Sequence, residues 1–224
     1  MIFLRKEREG VYKGSCHQLS PVTPVCFADL PRNHFKAILA DPPWSFATWS
    51  DEGKGRSAEQ HYPTMSLEDL RLLPVETLAA PDCALFLWTT WPHLIQATYL
   101  LNAWGFQYKG CAFCWLKADN RQPDFFQAEV APQMGMGYWT RASSEPCLLA
   151  TRGEPKCRRH DVHQGVIAPR REHSRKPEGI HARIERLVAG PYLELFARQS
   201  DRPGWTFWGN DVAQFNVTGP AVDA

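Results

Sequence analysis

The sequence predicts an α/β fold in which helices cover both faces of a sheet. Three observations lead there. The run Ala37-Ile-Leu-Ala40 has the unbroken apolar character of a strand buried on both sides, and it ends abruptly at Asp41-Pro42-Pro43-Trp44. Strand-like segments recur at 83–88, 107–116, 146–151 and 192–197, with helix-like segments between several of them. Ile180, Ile184 and Leu187 then make an apolar stripe at helical spacing.

Taken in order, the first strand covers 36–40. Ser66-Leu-Glu-Asp69 carries a Ser-x-x-Asp cap and opens a helix. After the 83–88 strand a second helix fits 92–103, and Lys176-Pro177 opens a third that runs to about Val188, where Ala189-Gly190 stops it. The long connections 45–63 and 117–145 are expected to be functional lids or disordered, and the stretch 152–175 is expected to be irregular. The 224 residues, 44% of them hydrophobic, suffice for a single domain over 1–224. Segment 1–34 and the tail 213–224 are its least determined parts.

Seven scattered cysteines suit reduced thiols rather than a disulfide framework, and no spacing makes a convincing metal site, so none is expected. No apolar run is long enough to span a membrane and nothing indicates export, so a cytoplasmic protein is expected. No P-loop and no G-x-G-x-x-G follows any strand, which argues against an ATP or nicotinamide enzyme. The formal net charge of +1 hides an asymmetry: eight Lys or Arg stand against three acids between Arg152 and Lys176. Such a segment suits a phosphate backbone, and Arg158, Arg159, Arg170 and Arg171 are its candidate contacts; a solvated loop is the plain alternative.

The tetrad carries the chemistry. Proline locks its own φ and keeps the preceding residue extended, so Asp41 and the Pro42 carbonyl become fixed acceptors beside the flat face of Trp44. Two acceptors and a stacking face suit a planar ring bearing an amino group. Acceptors that favour a more tetrahedral nitrogen would free its lone pair for attack on an electrophilic methyl group.

The tetrad is followed by His61-Tyr62-Pro-Thr-Met-Ser66, Leu85-Phe-Leu-Trp88, Trp104-Gly-Phe106, Glu145-Pro-Cys-Leu148, Lys176-Pro177 with Ile-Glu-Arg-Leu187, Glu194-Leu-Phe-x-Arg198, Trp205 and Gly209-Asn210. From about residue 35 to 212 this order resembles the adenine-N6 methyltransferases named after the seventy-kilodalton subunit of the mRNA adenine methylase, a family that includes bacterial and phage DNA adenine methylases. The resemblance implies a Rossmann-like methyltransferase fold with a mixed sheet and permuted order, the catalytic strand preceding the cofactor-binding strand, and S-adenosylmethionine as cofactor. It also implies roles: Asp41, Pro42, Pro43 and Trp44 hold the target adenine, with Tyr62 and Glu145 beside it. Lys176 would take the methionine carboxylate of the cofactor. Glu194, Arg198, Asn210 and Asp211 would line its ribose side, with Ser200, Asp201 and Asp41 as further contacts.

Glu194 could instead pair with Arg198 inside the core, Lys176 could be a surface lysine at a helix start, and Asn210 could serve a turn. The stretch Ser20-Pro-Val-Thr-Pro-Val-Cys-Phe27 lacks the acid that better-known members place upstream of the catalytic strand. The expected substrate is nucleic acid, with DNA preferred to RNA, and a homodimer is compatible with this reading. A non-catalytic nucleic-acid-binding partner and an amino-methyltransferase acting on cytosine N4 or a protein amide are the rivals.

Overall fold

A computed structural model describes residues 26–45, 64–118, 139–172 and 174–209. Seven strands form one sheet: β1 (Phe35–Ala40), β2 (Ala79–Trp88), β3 (Gln107–Ala118), β4 (Ser144–Arg152), β5 (Gly165–Pro169), β6 (Tyr192–Leu195) and β7 (Trp205–Trp208). The helices are α1 (Leu67–Leu72), α2 (Leu94–Ala103) and α3 (Ile180–Leu187). Strand order is β5-β3-β4-β2-β1-β6-β7. β4 runs antiparallel to both β2 and β3; the other four pairings are parallel. The sheet is therefore mixed.

β1 lies near the centre with its last four residues buried, as a strand covered on both faces requires. Its side chains alternate between two cores. Ile38 and Ala40 join Leu85, Leu87, Leu148 and Leu193 beneath Leu70 of α1 and Leu100 and Leu101 of α2. Ala37 and Leu39 join Phe86, Phe113 and Cys147 beneath Ile180 and Ile184 of α3. Helices thus lie on both faces.

The capping signal before α1 is real: the Asp69 amide donates to Ser66 Oγ at 3.1 Å. The indole N–H of Trp104, just past α2, donates to the Leu70 carbonyl at 2.9 Å and ties α2 to α1. α3 starts later than the sequence suggests. Gly179 is its N-cap in a left-handed conformation (φ 79°), so Lys176 and Pro177 precede the helix rather than form its first turn. Two strands escape sequence reading, β5 and β7, both at sheet edges. β5 has one buried residue, Val166, between polar loops, and β7 is the four residues Trp205-Thr-Phe-Trp208.

This topology decides what can meet. The parallel strands β1, β2, β3, β5, β6 and β7 end at one edge of the sheet, and β4, running the other way, begins there. Trp88 at the end of β2 pairs with Cys147, three residues into β4. Ligand sites in open α/β sheets gather at such an edge.

Candidate active site

Asp41 is the first residue beyond β1, and its N–H donates to the Leu195 carbonyl of β6 at 3.4 Å. The turn behind it is closed by its own backbone. Trp44 N–H donates to the Pro42 carbonyl and Met65 N–H to the Pro43 carbonyl, each at 2.9 Å. The Pro42 oxygen keeps a second lone pair for a ligand donor.

Glu145, the second residue of β4, comes to the same edge from the opposite chain direction. Lys176 bridges the two acids: its Nζ lies 2.8 Å from Asp41 Oδ2 and 3.5 Å from Glu145 Oε2, and 5.7 Å from the centre of the Trp88 ring. Lys117 Nζ holds the other oxygen of Glu145 at 2.5 Å. Two acids and two lysines form a neutral quartet. Their titrations diverge. Burial pushes the Asp41 carboxyl above its ordinary value of 3.8, and this outweighs the pull of Lys176. Burial pushes Glu145 up as well, but Lys176 and Lys117 together hold it below its ordinary 4.5. Asp41 is the strained acceptor and Glu145 the settled counterion.

Beside the quartet lies a cleft of about 320 Å³ lined by Leu39, Asp41, Lys176, Ile180, Phe196 and Arg198 among others. The chain leaves β6 through Phe196, whose left-handed backbone (φ 62°) turns Arg198 and Gln199 back to the cleft wall. Glu194 also faces the cleft, and its partner is not Arg198. His181 Nε2 donates to Glu194 Oε2 at 2.6 Å, while Gln199 approaches His181 Nδ1 at 3.5 Å and Trp205 meets the imidazole edge-on at 4.5 Å. With Nε2–H donating to the carboxylate, Nδ1 is left to accept from the Gln199 amide. The glutamate keeps its second oxygen for a ligand. His181 is a site residue that sequence reading missed, because a lone histidine on an amphipathic helix carries no signal until β6 is placed beneath it. Asp201 lines the cleft; Ser200 is not among its lining residues.

Trp44 departs from expectation. The sequence suggests an open stacking face, yet the indole is 6% exposed, donates from Nε1 to the Trp88 carbonyl at 3.3 Å, and stacks on His93 at 5.5 Å. It packs into the core beneath α1 and α2, so it braces the turn. Lys176, expected as a cation at a helix terminus, is instead the bridge of the quartet.

The basic segment is divided by β5, which carries the chain about 13 Å from one sheet edge to the other. Arg170 and Arg171 follow the end of β5 on the site edge, and Arg171 lines the cleft. Arg158 and Arg159 precede β5, at the far end of α3: the Arg158 amide donates to the Leu187 carbonyl at 2.8 Å, and Arg159 pairs with Asp161 at 2.7 Å. The second pair therefore does not share a surface with the site, contrary to the single basic patch read from sequence. Tyr62, Asn210 and Asp211 lie outside the described residues. Among those described, no helix is long and apolar enough to cross a membrane.

Residues 35–211 match the MT-A70 family model, which spans all the groups just placed. The chain is similar to the Type II methyltransferase M.MunI of Mycoplasma sp, at 30% identity over 94% of this chain and 93% of that protein. It is also similar to the human N(6)-adenosine-methyltransferase catalytic subunit METTL3, at 29% identity over 85% of this chain and 30% of that protein. A further relative is the N(6)-adenosine-methyltransferase MT-A70-like protein of Arabidopsis thaliana, at 29% identity over 84% of this chain and 27% of the relative. The chain thus spans nearly the whole of the Mycoplasma protein and less than a third of the other two.

Proposed function

The chain belongs to the MT-A70 family, and from that premise we propose that it transfers a methyl group from S-adenosylmethionine to N6 of adenine in nucleic acid, DNA in preference to RNA. The observation that carries the reading is Asp41: a carboxylate fixed at a strand end, raised in basicity by burial, beside the free lone pair of the Pro42 carbonyl. These two acceptors would receive the two N–H groups of an adenine amine and orient its lone pair outward. Trp44 would act through the turn, holding both acceptors still. Reaching N6 in a duplex requires the base to leave the stack.

The cleft fits the cofactor. Its lining combines the cations Lys176, Arg171 and Arg175, the carboxylates Glu194 and Asp201 and the apolar Leu39 and Ile180, a mixture that suits a ligand bearing both a carboxylate and hydroxyls. Lys176 would take the carboxylate, and the free oxygen of Glu194, its partner oxygen occupied by His181, would accept from the ribose. When bound, S-adenosylmethionine supplies an electrophilic methyl group next to Asp41.

The deciding experiment incubates the protein with labelled S-adenosylmethionine and matched DNA and RNA pools, then digests to nucleosides. Label in N6-methyladenine supports the reading; label only in N4-methylcytosine or in protein overturns it. The preference for DNA rests on the near full-length similarity to the Mycoplasma methyltransferase, and incorporation confined to the RNA pool would reverse it. A cytoplasmic location and a bacterial or phage origin accord with the same similarity.

Two outcomes follow for variants. Asp41 must be ionised to accept, so the acid limb of kcat/KM lies above 3.8, and the Glu145 charge is one cause of that elevation. Glu145→Gln should therefore move the limb to lower pH; an upward shift would show that the two carboxyls are not coupled this way. On the binding surface, replacing Arg170 and Arg171 together by Gln should weaken oligonucleotide binding and reduce its salt slope by about 1 to 2. The same change at Arg158 and Arg159 should leave both untouched, as read by fluorescence anisotropy across a salt series.

A further inference from the structure

Contiguous apolar surface left exposed beside a site marks a place where a ligand or partner docks. Trp91 is 49% exposed and Trp139 is 89% exposed. Trp91 lies three residues past the end of β2, and Trp139 five residues before β4. Trp91 is also pinned. Its indole N–H donates to Ser144 Oγ, the first residue of β4, at 3.0 Å. The turn that carries it is closed by His93 N–H donating to the Thr90 carbonyl at 2.9 Å and by a 2.9 Å contact between Thr90 Oγ1 and His93 Nδ1. With its one polar atom satisfied, the indole offers solvent little but its apolar face.

Its position gives that face a use. Ser144, which holds Trp91, is followed directly by Glu145, which reaches the Lys176–Asp41 pair. Adjacent strand residues point to opposite faces of the sheet, so Trp91 stands on the α2 side of the edge and the Asp41 quartet on the α3 side, one strand position apart. The same His93 that follows Trp91 stacks on Trp44 and touches the Ser45 carbonyl through Nε2 at 3.1 Å, so the tetrad and the Trp91 turn are mechanically one unit. Arg141, exposed between Trp139 and Ser144, adds a cation to the same stretch of chain. Aromatic faces interleaved with cations are what unstacked nucleotides bind.

We propose that Trp91 is a stacking platform for the nucleobase next to the target adenine. This rests on the nucleic-acid reading above. The target base, once withdrawn from its stack, leaves a neighbour with one face uncovered; Trp91 covers it and so sets the register of the strand relative to Asp41. The ligand is an unstacked nucleobase, in DNA or RNA alike, and any base has the π face required.

The test compares Trp91→Ala, Trp91→Phe and, as a control further along the same exposed helix face, Ile95→Ala. Methylation kinetics use DNA and RNA oligonucleotides of one target sequence, with and without an abasic residue beside the adenine; anisotropy with a labelled oligonucleotide reads binding independently of turnover. Trp91→Ala should raise the oligonucleotide KM about ten-fold or more with kcat within about two-fold. Trp91→Phe should recover most of the loss, and Ile95→Ala should behave as wild type. The abasic penalty seen with the parent protein should vanish in Trp91→Ala, because platform and neighbour act as one pair. Unchanged KM and anisotropy in Trp91→Ala overturn the proposal, as does a fall in kcat alone, which would assign Trp91 to bracing His93. Unchanged oligonucleotide affinity with a changed oligomeric mass would overturn it in favour of a protein contact on Trp91, Ile95 and Tyr99. If the parent protein methylates neither nucleic acid, the proposed function fails, and the anisotropy series still decides the platform.

Discussion

Asp41→Asn should lower methyl transfer by about two to three orders of magnitude without lowering the thermal midpoint at neutral pH. The activity loss follows from the acceptor's charge. Asparagine keeps a carbonyl oxygen in place but gives up the full negative charge that makes the adenine amine a better nucleophile, and single preorganised electrostatic contacts at a reacting atom carry about that much rate. The stability half follows from linkage. Asp41 has a folded-state pKa raised above its unfolded value, so the stability it contributes is full below about 3.8 and is lost as pH rises through the folded value. Above the folded value that contribution is gone, and asparagine removes the desolvation that the buried carboxylate suffers there. Kinetics at saturating cofactor and a calorimetric scan separate the two effects. A variant that is both inactive and much less stable would show that Asp41 serves the fold rather than the reaction.

Lys176→Met should be damaging in both respects. Lys176 is the shared counterion of Asp41 and Glu145, and removing it leaves two carboxylates facing each other near the sheet edge. Breaking a buried pair by deleting one partner costs about 3–5 kcal/mol; the side chains here are 18% (Lys176 and Glu145) and 23% (Asp41) exposed, and water screening reduces the figure to about 2–3 kcal/mol. For a chain of this length that is a fall of roughly 5–10 °C in the thermal midpoint. The pH dependence gives a sharper signature. Glu145 has a depressed folded-state pKa, so its contribution is present above about 4.5 and is lost as pH falls through the folded value. Without Lys176 the depression shrinks and the Asp41 carboxyl rises further, so the variant should be least handicapped in acid and most at neutral pH. Its activity limb should also move upward, opposite to that of Glu145→Gln. A thermal midpoint within about 1 °C of the parent at pH 7 would mean the quartet is not a stabilising unit.

Much of the architecture is written in local pattern. The continuous apolar run of β1, the Ser66 cap and the Ile180–Ile184 stripe each determine one element through short-range physics, and each is found where the pattern puts it. The edge strands β5 and β7 are not legible that way. An edge strand buries little, so Gly165–Pro169 keeps only Val166 inside and resembles the loops around it. Site residues divide similarly. Asp41 is legible because proline geometry fixes its surroundings from the sequence alone. The quartet is not, since Lys117, Glu145 and Lys176 meet Asp41 only once the reversed direction of β4 is known. The division of the basic segment by β5, the burial of Trp44 against His93, and the pairing of His181 with Glu194 are likewise products of topology.

That reversal of β4 also separates the anchored groups from the connections. The chain leaves the site edge at the end of β1 and at the end of β3, and it returns to that same edge at β4. The connections 46–63 and 119–138 both follow strands that end there, whereas Asp41 directly follows the last residue of β1 and Glu145 lies within β4. Those two connections lie outside the hydrogen-bond register of the sheet, so a change in the length of either leaves Asp41 and Glu145 where the strands hold them.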